Sequence, residues 1–102
     1  MQEVTIQSTL PKLIIALSGE IDSKNAEEFE SEVKKAYDAA PCDIVFDCEK
    51  LVFIDSTTLG TFVKILKYIQ KNGHGMKLIK TQPRIKKLFV ICALDAIMEI
   101  ES

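Results

Sequence analysis

The chain has one histidine, His74, and three cysteines with no Cys-x-x-Cys spacing. That leaves too few ligands for a structural zinc site. The odd cysteine number, with Cys42 and Cys48 around a strand-like run and Cys92 in an apolar one, reads as three reduced structural thiols of a cytoplasmic protein. No apolar stretch approaches the ~20 residues that cross a bilayer, so no membrane span is expected. The start of the chain lacks the charged-then-apolar pattern of a signal peptide. There is no Gly-x-Ser-x-Gly turn, no Gly-x-x-x-x-Gly-Lys-Ser/Thr loop and no Gly-x-Gly-x-x-Gly run. Hydrolase elbows and independent nucleotide binding are therefore without support. Acidic residues are missing from the whole stretch between Ser56 and Leu94, which carries eight bases, whereas residues 1–55 hold twelve acids and five bases. A net charge of −2 argues against direct DNA binding all the same. The basic half reads first as a solvated face or as partners for nearby acidic helices, and second as a face for an acidic partner or, more weakly, a membrane surface.

What is present is a chain of 102 residues, 47% hydrophobic, which suits one domain spanning 1–102 with a substantial core. Val4–Ser8 and Leu13–Leu17 read as strands separated by a turn near Pro11-Lys12. The second of them is apolar on both faces, as for a strand inside a sheet. After Gly19-Glu20-Ile21-Asp22, either Asp22 or Ser23 caps a helix to about Ala39, with Ala26, Phe29, Val33, Ala36, Tyr37 and Ala40 as its buried stripe. Asp43–Asp47 is a short strand. Leu51–Ile54 is either a loop packed on the core or an irregular extension of that strand.

A second helix begins near Ser56 and stops near Asn72-Gly73, where glycine suits a left-handed cap. Its core stripe is Leu59, Phe62, Val63 and Leu66. Met76–Ile79 is a strand. Thr81-Gln82-Pro83 opens a third helix whose buried side is Ile85, Leu88, Phe89 and Cys92. Met98–Ile100 can close the sheet. The order β-β-α-β-α-β-α-β implies an α/β domain with a mixed, mostly parallel sheet and right-handed crossovers.

Loops that carry function in such sheets gather at the C-terminal ends of the strands. The Gly19–Asp22 loop and the loop ending at Ser56 should therefore converge, bringing Asp22 and Asp55 near the Ser56 hydroxyl. Ser56 falls at or next to a helix N-cap, where free backbone N–H groups and the positive end of the helix dipole suit a phosphate. As a nucleophile it would lack a base. His74 lies beyond the far end of the same helix, about 24 Å away at 1.5 Å per residue. Two acids at loop ends serve more often as caps and turn-formers than as a metal site, so neither metal nor other cofactor is expected.

The pattern Gly19-Glu20-Ile21-Asp22, then Ile44-Val45-Phe46-Asp47, then Ile54-Asp55-Ser56-Thr57-Thr58-Leu59-Gly60, with Pro83-x-Ile85-x-x-Leu88-Phe89 and Leu94-Asp95, resembles the STAS domain. Within that family it is most similar to the single-domain anti-sigma factor antagonists of bacteria. The resemblance runs from about Val4 to about Ile100. It implies a non-enzymatic regulator that binds an anti-sigma factor serine kinase when unphosphorylated and is released once Ser56 is phosphorylated. A phosphoserine phosphatase resets it. The resemblance places Asp22 beside the phosphoryl-transfer site. The family usually has glycine where this chain has Thr58, and often where it has Ala93. Thr57 and Thr58 are themselves hydroxyl acceptors, secondary to Ser56.

On the second helix, 100° per residue puts Thr57, Thr61, Lys64 and Tyr68 opposite the core stripe, a candidate docking face running down from Ser56. Tyr68 would be its aromatic anchor, or else an ordinary surface tyrosine. The partner-binding set is thus Asp22, Asp55, Ser56, Thr57, Thr58, Thr61, Lys64 and Tyr68. An alternative role on the same fold is a non-switching STAS adaptor in a stress-signalling assembly or a bacterial lipid-transport complex.

Overall fold

The computed structural model describes residues 2–8 and 12–102; the turn expected at Pro11 lies outside the described residues. Five strands form one sheet in the order of the sequence: β1 Gln2–Ser8, β2 Leu13–Ile21, β3 Ile44–Ile54, β4 Met76–Ile79 and β5 Glu99–Ile100. β1 and β2 are antiparallel, and every later neighbour pair is parallel. Helices α1 Ala26–Ala39, α2 Ser56–Gln70 and α3 Pro83–Ile91 supply the crossovers. The mixed sheet and the expected element order are both observed.

Alternation along β2 sends Leu13, Ile15 and Leu17 into the core and leaves Ile14, Ala16 and Ser18 half-buried. α1, α2, α3 and β3 meet around Phe62. Its ring centroid lies 5.3 Å from Phe29, 5.3 Å from Phe46 and 5.4 Å from Phe89. Tilted and edge-on pairs of this kind favour the ring quadrupoles and fix side-chain positions.

β3 is one continuous strand, which decides between the two readings of Leu51–Ile54. Its core-facing residues are Ile44, Phe46, Cys48, Leu51 and Ile54. The spacing is two, two, three, three. Each three marks a place where β3 carries one more residue than β2. Ala16 pairs with Asp47 but Ser18 with Lys50, and Gly19 pairs with Leu51 but Glu20 with Phe53. These bulges keep the apolar side chains inward while breaking the alternation that identifies a strand in sequence.

Three expectations about helices need correction. α1 starts at Ala26 rather than directly after Asp22 or Ser23. The intervening residues form a turn held by their own groups. The Asp22 carboxylate accepts the Lys24 N–H (2.9 Å), and Asn25 Oδ1 accepts the Asp22 N–H (2.9 Å). Cys92 is exposed, not part of the buried side of α3, because the chain leaves the helix there and turns over. The buried arc of α2 is also wider than expected. It takes in Thr58 and Thr61 as well as Leu59, Phe62, Ile65, Leu66 and Ile69, while Val63 is only half-buried.

The exits of α2 and α3 use left-handed backbone. After α2, Gly73 at φ +80° donates to Gln70 O (3.0 Å) and His74 N–H reaches Ile69 O (3.2 Å), the double closure of a Schellman turn. His74 is a turn residue as expected; its Nδ1 lies 2.5 Å from the buried Tyr37 hydroxyl. After α3, Ala93 adopts φ +59° with a Cβ that such backbone disfavours. Ala93→Gly should therefore stabilise the domain by about 1 kcal/mol and raise Tm by roughly 4 °C. A thermal melt showing no rise would mean that the left-handed residue costs nothing at this position.

Among the described residues the basic second half is only partly ion-paired, and not by helices. Lys77 bridges Glu99 (3.3 Å) and Glu101 (2.8 Å) near the C-terminal edge strand, and Lys80 approaches Asp47 (4.0 Å). None of Cys42, Cys48 and Cys92 is in a disulfide. Burial, with Asp47 adding to it, pushes the Cys48 thiol up to about 12, so it stays protonated and inert.

Candidate functional site

Ile21 and Ile54 are paired neighbours at the C-terminal ends of β2 and β3. The next residue on each strand is an aspartate, so topology alone sets Asp22 and Asp55 side by side. Specific bonds then join the two loops. Asp55 Oδ2 accepts the Ser23 N–H at 2.9 Å, across 32 residues of sequence. Asp55 Oδ1 accepts the Thr58 N–H at 3.0 Å, which makes Asp55, rather than Ser56, the N-cap of α2. Ser56 is the first residue of the helix and is exposed.

Thr58 is fully buried. Its hydroxyl reaches the Ile21 carbonyl oxygen (2.5 Å) and lies 3.0 Å from Asp55 Oδ1. One hydroxyl has one proton, so Thr58 serves these two acceptors in turn. Either way it ties the end of β2 to the start of α2. A threonine in this place fills the junction inwardly instead of adding bulk beside Ser56. Its oxygen is unreachable in the folded domain, so Thr58 is removed as a phosphoacceptor and as a contact residue.

Desolvation works against ionisation of Asp55. The Thr58 N–H and hydroxyl, the Ser23 N–H and the Thr57 N–H outweigh it and hold the carboxyl below its ordinary value of 3.8. A carboxylate with a depressed pKa contributes stability above the unfolded-state value and loses it as pH falls through the folded-state value. Asp55→Ala should thus cost about 1 kcal/mol at neutral pH through loss of the cap. In urea titrations the gap between variant and wild type should close below pH 3.8. A gap that persists unchanged at pH 2 would show that the cap does not act through its charge.

The proposed docking stripe on α2 is brought together only in part. Thr57 and Lys64 are exposed. Thr61 is 3% exposed and donates to the Thr57 carbonyl oxygen (3.0 Å), so it faces inward and leaves the stripe. Satisfying its hydroxyl on the helix's own backbone is what lets a polar residue sit in the core. Tyr68 is half-buried and engaged with α1. Its hydroxyl donates to Asp38 (2.7 and 2.9 Å), its ring lies 6.0 Å from Tyr37, and Lys34 Nζ sits 4.7 Å from its centroid. The bond to Asp38, with desolvation and the carboxylate's charge behind it, raises the Tyr68 pKa. Tyr68 thus joins the two helices, and only part of it faces solvent.

Two residues of this end of the molecule escaped the sequence reading. Val52 (46% exposed) and Phe53 (44% exposed) are large apolar side chains just before Asp55. They face outward because the second bulge in β3 rotates them away from the core. Only the three-residue spacing from Leu51 to Ile54 hinted at it. The exposed surface at this end thus includes Val52, Phe53, Ser56 and Thr57, together with Ser23 and Lys24 of the facing loop, with Asp22 half-buried beside it. A phosphate on Ser56 would sit on the first turn of α2, next to a carboxylate already held in its ionised form. Among the described residues no cluster of His, Cys, Asp or Glu could hold a metal ion. No helix among the described residues is long and apolar enough to cross a membrane.

This sheet, with two acid-ended loops joined around an exposed helix-start serine, is the arrangement of a STAS domain. The STAS family model matches residues 2–102, and the chain belongs to that family. It is similar to an anti-sigma-B factor antagonist of Staphylococcus aureus, with 29% identity over 86 residues, 84% of this chain and 80% of the relative. Among solved structures it resembles an anti-sigma factor antagonist from Mycobacterium paratuberculosis (TM-score 0.87, 18% identity, covering 99% of this chain and 86% of that one). It also resembles the anti-sigma factor antagonist SpoIIAA in its unphosphorylated form (TM-score 0.81, 19% identity, 100% and 89% covered). The phosphorylated form of SpoIIAA, a Bacillus cell fate determinant, matches as well (TM-score 0.71, 21% identity, 100% and 92% covered). At these identities the structural likeness establishes the fold.

Proposed function

We propose that this protein is a cytoplasmic anti-sigma factor antagonist, a single STAS domain acting as a binding module rather than an enzyme. It binds an anti-sigma factor serine kinase while Ser56 is unmodified, and phosphorylation of Ser56 releases it. A phosphoserine phosphatase restores the binding form. The observation that carries this reading is the exposed Ser56 hydroxyl at the first turn of α2, on a rigid junction that also positions Asp22 and Asp55. The relatives named as anti-sigma-B factor antagonists support the same role.

The Ser56 hydroxyl is open to a kinase, and the anion it would become sits at the positive end of a helix, so the domain can take the modification without unfolding. The switch then lies in the docking surface. A phosphate beside Asp22 and Asp55 adds about −1.5 to −2 charge to a patch that must otherwise pack against a partner.

Mass spectrometry of the protein isolated from its native cell tests this. One phosphate is expected on the tryptic peptide 51–64, with fragmentation placing it on Ser56. Phosphate on Thr57 instead would move the acceptor by one residue. Its absence under every growth condition, together with capture of a transporter ATPase or a large scaffold in place of a small kinase, would favour the adaptor role.

A further inference from the structure

We infer that the buried Thr58 hydroxyl is a positioning group for the Ser56 switch: it fixes the Asp22–Asn25 turn beside the start of α2, so that one partner surface can engage both. The inference rests on the switch proposed above, and it names a residue that governs that switch without touching the partner. The turn is closed on itself. The Asn25 and Ala26 N–H groups donate to the Asp22 carbonyl oxygen (3.2 and 2.9 Å), the Lys24 N–H donates to the Asp22 carboxylate (2.9 Å), and the Asn25 side-chain amide donates to the Glu20 carbonyl oxygen (3.0 Å). It therefore moves as one piece, and its place depends on what ties it to its surroundings. Ile21 and Ala26 at its two ends are buried, but Ser23 and Lys24 between them are exposed, and hydrogen bonds set their position.

Beyond the β2–β3 ladder, two hydrogen bonds among the described residues join this segment to the start of α2. The Ser23 N–H donates to Asp55 Oδ2 (2.9 Å), and the Thr58 hydroxyl donates to the Ile21 carbonyl oxygen (2.5 Å). Thr58 acts in both. It makes the second bond itself. It orients the first, because its N–H and its hydroxyl each lie 3.0 Å from Asp55 Oδ1 and so hold the carboxylate with Oδ2 toward Ser23. Ser56 needs no such tie, since α2 itself carries it. A partner that closes over Ser56 also meets Ser23 and Lys24, which stand on the loop bonded to Asp55. Holding that surface preformed removes an ordering cost from binding. A misplacement of about 1 Å in such an element can cost on the order of 100-fold.

Threonine brings a methyl that fills space and a hydroxyl that bonds, and two variants of the full chain separate them. Thr58→Val keeps the shape and loses the hydroxyl; Thr58→Ser keeps the hydroxyl and loses the methyl. Positioning by the hydroxyl ranks serine above valine, whereas simple packing ranks valine above serine. In Thr58→Val the Ser23 N–H should exchange with solvent about tenfold faster than in the wild type, read by NMR on the free protein. The Asp55 carboxyl loses one of the donors that lower it, so in Thr58→Val it should titrate higher, toward 3.8. With the proposed kinase partner, Thr58→Val should raise the KM for Ser56 phosphorylation about tenfold and leave kcat within about twofold. Thr58→Ser should restore wild-type behaviour in all three measurements, and circular dichroism confirms that each variant is folded at the assay temperature. Unchanged Ser23 exchange in Thr58→Val overturns the inference, as does an unchanged KM despite faster exchange, or a serine variant that performs worse than the valine one. A wild type that the kinase does not phosphorylate at Ser56 overturns the switch reading instead, and Ser23 exchange with the Asp55 titration then decides alone whether the hydroxyl holds the turn.

Discussion

Ser56→Asp is expected to weaken binding to the partner by about 30- to 150-fold relative to Ser56→Ala, corresponding to about 2–3 kcal/mol. The structure separates this effect from folding. Ser56 is exposed at the first position of α2, where an added negative charge is favourable to the helix. The Ser56→Asp domain should therefore melt at or slightly above the wild-type temperature while losing affinity. The loss arises because the new carboxylate joins Asp55 and Asp22 on a surface that must be desolvated by contact. Titration calorimetry with the proposed kinase partner provides the measurement. Equal affinities of Ser56→Asp and Ser56→Ala would remove the charge at Ser56 from the mechanism. Phosphorylated wild type, the stronger anion, should bind at least as weakly as the aspartate variant.

Phe62→Ala should produce the largest loss of stability available from one substitution in α2, about 3–5 kcal/mol. Phe62 is fully buried and is the ring shared by α1, β3 and α3 through Phe29, Phe46 and Phe89. Truncation removes three ring contacts at once and leaves a void bounded by rigid aromatic walls, which cannot collapse to fill it. Against a total of about 5–15 kcal/mol for a domain of this size, the variant should be partly unfolded near 37 °C. Urea unfolding would measure it. A loss below about 1.5 kcal/mol would mean that the four rings repack freely, contrary to their fixed tilts. Because Ser56 stands on the same helix, the folded fraction of Phe62→Ala should also set its apparent partner affinity.

Much of this architecture was legible locally. The apolar strand run Leu13–Leu17, the helical spacing of Phe29, Val33 and Tyr37, the glycine after α2 and the proline opening α3 each follow from short-range sterics and periodicity. These held in the structure. So did the convergence of the two acid-ended loops, because it follows from strand order rather than from side-chain detail. Some readings failed where a residue's neighbour is remote in sequence, and others where a local bond or turn overrode the helical period. Thr58 was expected as a secondary acceptor beside Ser56, but its bond to the Ile21 carbonyl holds it in the core; Thr61 fell on the outer side of the helical wheel, but a bond to the helix's own backbone lets it face inward. Tyr68 looked like a free anchor until Asp38, thirty residues away, took its hydroxyl. Cys92 followed the apolar spacing of α3 beyond the point where Ala93 ends it.

The sequence by itself determined the elements, their order and the placing of an acid and a hydroxyl at the start of α2, since these depend on backbone propensity, turn chemistry and period. Only the tertiary structure decided which hydroxyl stays open. The second bulge in β3 turns Val52 and Phe53 outward, and the β2–α2 junction draws Thr58 inward, leaving Ser56 and Thr57 exposed. Those outcomes depend on which backbone groups of β2 lie opposite β3 and α2, a relation that no local pattern records.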